Sequence, residues 1–122
     1  MADKQLQSTR AAAAFQKQWF ADLRRAVFDA NKPYALVQAD VPFELFQLMD
    51  VPAISNQWWA ALIAAKRQAP AYLDAFNDAG FHDGLCRYCS LGLASTLFRE
   101  RVPPPWGGLP VPRLLCARLT CD

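Results

Sequence analysis

The residues in this chain best suited to chemistry are its four cysteines. Cys86 and Cys89 form a C-x-x-C, and Cys116 and Cys121 stand five positions apart. Thiolates in such a set allow three kinds of chemistry. Four together make a tetrahedral zinc site. A C-x-x-C that opens a helix makes a redox pair. Some of the four can instead hold an iron–sulfur cluster, whose ligands are often far apart in sequence.

Local context weighs on each reading. For zinc, Cys116 lies inside the apolar run Leu114 to Leu119, and an extended strand points Cys116 and Cys121 to opposite faces. For a redox pair, the preceding residues Asp78 to Gly84 read as a helix end and a turn, where that motif usually follows a strand. For iron–sulfur ligation, Cys86 at a helix start and Cys121 at a strand end are placed to meet across one cavity. Cys89 and Cys116 are then ordinary small apolar residues. Cys116 is also expected about 16 Å from Cys121, at ~3.3 Å per strand residue. The residues alone leave all three readings open.

The elements that must position these thiols follow from hydrophobic periodicity. Residues 5 to 31 form an amphipathic helix, with Phe15, Trp19, Leu23, Ala26, Val27 and Ala30 on one face as an expected contact stripe. Asn31-Lys32-Pro33 stops it. Short apolar runs near 34–39, 51–55 and 113–119 have strand length, and helices are predicted at 43–49, 57–68, 71–79 and 84–97. Pro42 and Pro70 suit first turns, Ser55 or Asn56 suits a cap, and Gly80 suits a helix C-terminus. Asp83 is expected to cap the helix from Gly84, and His82 to be a surface turn residue. Five prolines and two glycines make residues 103–112 an irregular loop. Strands alternating with helices predict an α/β fold, a parallel sheet flanked by helices with a long N-terminal helix. Residues 1–33 are then an N-terminal helical segment and 34–122 an α/β domain. Ligands gather at the carboxyl ends of parallel strands, which selects the loops 39–42, 55–59 and 120–122.

Composition narrows the function classes. The 122 residues amount to one domain, 53% hydrophobic and 20% charged. Thirteen basic against eleven acidic residues give a net charge of +2, with no basic stripe to suggest nucleic acid. No apolar stretch spans a bilayer, and the polar N-terminus lacks a signal-like core, so a cytoplasmic protein with reduced cysteines is expected.

The segment Phe43-Glu-Leu-Phe-Gln-Leu-Met-Asp-Val-Pro-Ala-Ile resembles the P-x-E-L stretch of the 2-hydroxyacyl-CoA dehydratase and benzoyl-CoA reductase family. The likeness continues through Trp59-Ala-Ala-Leu, Tyr72-Leu-Asp, Gly80-Phe and Gly84-Leu-Cys-Arg-Tyr-Cys-Ser-Leu-Gly-Leu, and closes on Thr120-Cys-Asp. It covers roughly residues 34 to 122.

The resemblance implies the N-terminal part of a larger, Rossmann-like subunit. Cys86, in the Leu-Cys-x-Tyr context, and Cys121, in the Thr-Cys-Asp context, become ligands of a [4Fe-4S] cluster. The family's third cysteine ligand lies beyond this sequence, so the chain is not expected to be active alone. A homologous partner subunit, an ATP-dependent electron-donating activator and a CoA thioester substrate are further implied, with radical electron-transfer chemistry. Family members often carry an acidic residue after the second strand. Here that stretch reads Ile54-Ser55-Asn56-Gln57-Trp58-Trp59, and an amide is no general base near neutral pH. Ser55, Asn56 and Gln57 are accordingly expected to shape a substrate pocket. Trp58 and Trp59 are expected in the core, and Arg87 and Arg118 at the solvated surface. The rival readings are a non-catalytic auxiliary subunit and a small zinc-binding module.

Overall fold

The computed structural model describes residues 6–118. Three short strands, β1 (Ala35–Val37), β2 (Ala53–Ser55) and β3 (Leu114–Cys116), form a parallel sheet in the order β2-β1-β3. The register pairs Ala35 with Ala53 and Leu114, and Val37 with Ser55 and Cys116. This is the parallel α/β arrangement expected from the sequence, with strands shorter than the apolar runs that announced them. Helix α1 (Gln7–Arg24) precedes the sheet and continues as a π-helical turn, Arg25–Asp29. Helix α2 (Phe43–Leu48) links β1 to β2. Helices α3 (Asn56–Ala65), α4 (Ala69–Asp78) and α5 (Arg87–Leu97) lie between β2 and β3.

Alternation along the strands divides the core in two. Ile54 and the partly buried Leu36 join Leu23, Val27, Trp59, Ile63, Tyr72 and Phe76 on the side of the longer helices. Ala35, Val37 and Ala53 pack with Phe46 of α2 on the other. Trp59 is fully buried, and burying a side chain of this kind stabilises by roughly 1.5–3 kcal/mol. Its indole Nε1 donates to Ser95 Oγ at 2.8 Å, so the polar edge of the ring is satisfied and α3 is fixed to α5.

Several predicted ends fall into place. Ser55 Oγ accepts from the Trp58 N–H and caps α3. Gly80, at φ +87°, follows the last residues of α4 in the left-handed conformation that favours glycine. The expected stripe is corrected at both ends, Ala30 being exposed at the C-terminal one. Leu23 and Val27 are buried and Trp19 is half-buried, but Phe15 is 73% exposed. The first turns of α1 extend past the sheet-bearing body, so amphipathic spacing there has nothing to face. What holds α1 is aromatic: Trp19 and Phe20 contact Trp58, Trp58 contacts Trp59 and Trp106, and Phe28 contacts Trp59 and Trp106. All four tryptophans belong to this cluster.

The proline-rich loop is irregular, as expected, apart from a 3-10 turn at Pro105–Gly107. Side chains from the body fasten it. Tyr72 OH donates to Val102 O at 2.9 Å, Gln68 Nε2 to Pro103 O at 2.6 Å, and Tyr34 OH to Pro110 O at 2.7 Å. The Arg113 N–H then reaches Tyr34 O and delivers β3 to the sheet.

Burial pushes the Tyr72 phenol up to about 12, and raises that of Tyr34 by the same cause. Both groups ionise more easily in the unfolded chain, near pH 10. Stability that is fully present below about pH 10 is therefore lost as pH climbs toward the folded value. Urea denaturation at rising pH should show this decline, and Tyr72→Phe should flatten it while costing about 1 kcal/mol at neutral pH for the lost hydrogen bond. A stability that stays level to pH 12 would contradict the burial of these phenols.

Candidate functional site at the carboxyl edge

Strand order 2-1-3 places the carboxyl edge of β1 and β3 where open parallel sheets bind ligands. A cavity of about 350 Å³ lies there, bordered by Leu36, Gln38, Asn56, Cys89, Thr96 and Leu115 among others. Its lining is chiefly apolar, and none of its described residues carries a carboxylate. A second groove of about 340 Å³, between α1 and α2, is bordered by Trp19, Leu23 and Ala26 of the contact stripe but by none of the described cysteines and none of Ser55, Asn56 and Gln57.

Asn56 is the residue that joins the sheet to the cysteine-bearing helix. Its Nδ2 donates to Tyr88 O at 3.3 Å and Cys89 O at 3.4 Å, in the first turn of α5. The approach is close because α5 presents Gly92. A Cβ added there would come within 1.6 Å of Asn56 Oδ1. Ser55 and Gln57 serve the same edge differently. Gln57 Oε1 accepts from the Ala39 N–H at 2.9 Å and from Ser55 Oγ at 3.3 Å, tying the loop after β1 to the end of β2. Of the three expected pocket residues, Asn56 alone borders the cavity, and Trp58 and Trp59 do not.

Cys86 is the N-cap of α5, and Cys89 is its third helical residue. The predicted cap, Asp83, does not reach the helix. It stands in the preceding turn, where His82 Nδ1 accepts from the Gly84 N–H at 2.9 Å. Cys86 is exposed and Cys89 half-buried. The backbone N–H groups of Cys89 and then Tyr88 hold the Cys86 thiol below its ordinary range, with burial opposing slightly and the Cys89 thiol assisting. The cause is general: a helix N-terminus favours an anion. Ser90 fixes the cap from behind, its N–H and Oγ both donating to Cys86 O at 2.9 Å.

The structure corrects the placing of Cys116. It is the last residue of β3, so it stands at the carboxyl edge and not a strand's length away. It packs with the cluster of Val37 and Phe46, and it borders the same cavity as Cys89. The strand expected to run to Leu119 ends at Cys116, with Ala117 and Arg118 outside it, while Leu119 and Cys121 lie outside the described residues. The chain approaching Cys121 remains at this edge, since the Arg118 N–H donates to Gln38 Oε1 at 2.9 Å and its guanidinium pairs with Asp40. Arg118 and Arg87 are both exposed, as expected, and Arg118 is in addition held by its ion pair. Among the described residues, no three or more His, Cys, Asp or Glu side chains converge as a metal site. No helix there is long and apolar enough to cross a membrane.

Comparison with known proteins returned no match to any family model, curated protein or solved structure.

Sequence inspection missed the Asn56–Gly92 contact, although a glycine inside a helix is itself a signal of close approach. Gly92→Ala should cost about 1–3 kcal/mol by overpacking, measured by urea denaturation. Adding Asn56→Ala should recover part of that loss, because the atom displaced is the Asn56 amide. Strictly additive effects would show that the two residues do not meet.

Proposed function

We propose that this chain is the N-terminal part of an iron–sulfur subunit acting on CoA thioesters, of the 2-hydroxyacyl-CoA dehydratase and benzoyl-CoA reductase kind. The observation that carries the reading is the exposed Cys86 at the N-cap of α5, one turn before Cys89 at an apolar cavity of the carboxyl edge. Metal ligation needs a thiolate, and the lowered Cys86 thiol suits that requirement. Cys86 and Cys121 would hold a [4Fe-4S] cluster, with the remaining protein ligand supplied from outside this sequence.

When bound, such a cluster supplies low-potential electrons and, at an open iron, a Lewis acid for a substrate oxygen. The chain's own residues bind and orient. Leu36, Leu93 and Leu115 offer apolar surface for an acyl group, and Asn56 and Thr96 offer polar contacts. The described lining holds no carboxylate, and a homologous partner subunit would supply the general base. An ATP-dependent activator would deliver the electron, in the reducing environment of the cytoplasm.

Anaerobic reconstitution of the full chain with ferrous iron and sulfide tests the assignment through visible absorption and iron analysis. The wild-type chain should take up iron and show a broad visible shoulder. Cys86→Ala and Cys121→Ala should each lose most of it, and Cys116→Ala should keep it. A colourless chain holding stoichiometric zinc, no metal uptake, or dependence on Cys116 with Cys121 silent would each overturn the assignment.

A further inference from the structure

The sequence context counted against Cys86 and Cys89 as a redox pair, because no strand precedes them. In the structure the pair nevertheless opens a helix, with Cys86 at the N-cap and Cys89 three residues on. We propose that Cys86 and Cys89 are a dithiol site that low-molecular-weight disulfides oxidise to an internal disulfide.

Four features of the molecule support this. Cys86 is exposed, so a small disulfide reaches it, while Cys89 is only half-buried behind it. The two thiols already interact. Cys86 is the N-cap and Cys89 the third helical residue, in the first turn of α5, and an N-cap side chain turns toward the third helical position, where a disulfide needs Cβ atoms about 3.5–4.5 Å apart. That turn is also held in place from two sides. Ser90 binds Cys86 O, and Asn56 binds Tyr88 O and Cys89 O. A fixed turn keeps the second thiol beside the first and makes the second step intramolecular.

The chemistry balances as ordinary exchange. The Cys86 thiolate attacks one sulfur of the small disulfide, forming a mixed disulfide and expelling one thiolate. Cys89 then attacks the Cys86 sulfur, forming the internal bond and expelling the second. The protein loses two electrons and two protons, and the small disulfide gains them as two thiols. Cys116 borders the same cavity but belongs to β3 and not to the first turn of α5, and it takes no part.

This inference does not rest on the iron reading, because it concerns the iron-free chain. A bound cluster and the internal disulfide are alternative states of the same Cys86 sulfur. The test treats reduced, chelator-stripped full chain with oxidised glutathione and maps the products by mass spectrometry. The expected result is a loss of two hydrogens, mapped to a Cys86–Cys89 bond, with no lasting glutathione adduct on Cys86. Cys89→Ser should instead trap glutathione on Cys86, and Cys116→Ser should leave the internal bond unchanged. Stable adducts on both cysteines of the wild-type chain, or a bond from either one to Cys116 or Cys121, would overturn it. Iron uptake by the same preparations is scored separately, so either idea can fail without the other.

Discussion

The amide of Asn56 lies where a side chain on Gly92 would have to be, and much of the carboxyl edge depends on that contact. A short polar side chain at the start of α3 reaches two carbonyls of α5 only because α5 has no Cβ in the way. The first turn of α5 is thereby set directly beyond the end of β2. Cys86 and Cys89 ride on that turn, and their distance from the cavity follows from it. Burial of Ser90 and Leu91 also bears on this end of α5, and other burial acts further along it. Trp59, for example, fixes the last turn of α5 through Ser95, three residues beyond Gly92.

The rest of the architecture supplies the two sides of the cavity by long-range tethers. β3 comes from a loop that has no regular structure of its own, and it joins β1 because Tyr34, Gln68 and Tyr72 hold that loop by its carbonyls. Each phenol is removed from water, and each has its hydroxyl satisfied, so burial costs little. Leu114 and Leu115 of β3 remain exposed. A parallel strand with both sides of its pleat so open is unusual, because parallel sheets are normally covered. The aromatic cluster of Trp19, Trp58, Trp59 and Trp106 sets α1 against the first turn of α3.

Local signals made the elements legible in the sequence. Apolar runs of strand length between helical segments were enough for the parallel sheet, and Ser55 and Gly80 marked a cap and a stop through their own chemistry. Legibility ended where partners are remote. Nothing near Phe15 says that the body of the protein ends before it. Cys116 reads as mid-strand in an apolar run, and only the three-residue length of β3 moves it to the edge. Asn56 looked like a pocket residue by position. It does border the cavity, but two of its polar contacts hold α5. Cys86 was placed correctly at a helix start, although Asp83 offered the more familiar cap. The turn at His82–Gly84 uses the residues before it differently.

If the Asn56 amide holds the thiol-bearing turn, removing it must loosen that turn before it loosens anything else. Amide hydrogen exchange in the Asn56→Ala chain measures this most directly. The N–H groups of Ser90 to Leu93 should exchange faster than in the wild-type chain, while those of Leu73 to Asp78 in α4 keep their protection. Unchanged protection across Ser90 to Leu93 would contradict the account, since the position of Cys86 and Cys89 would then owe nothing to Asn56.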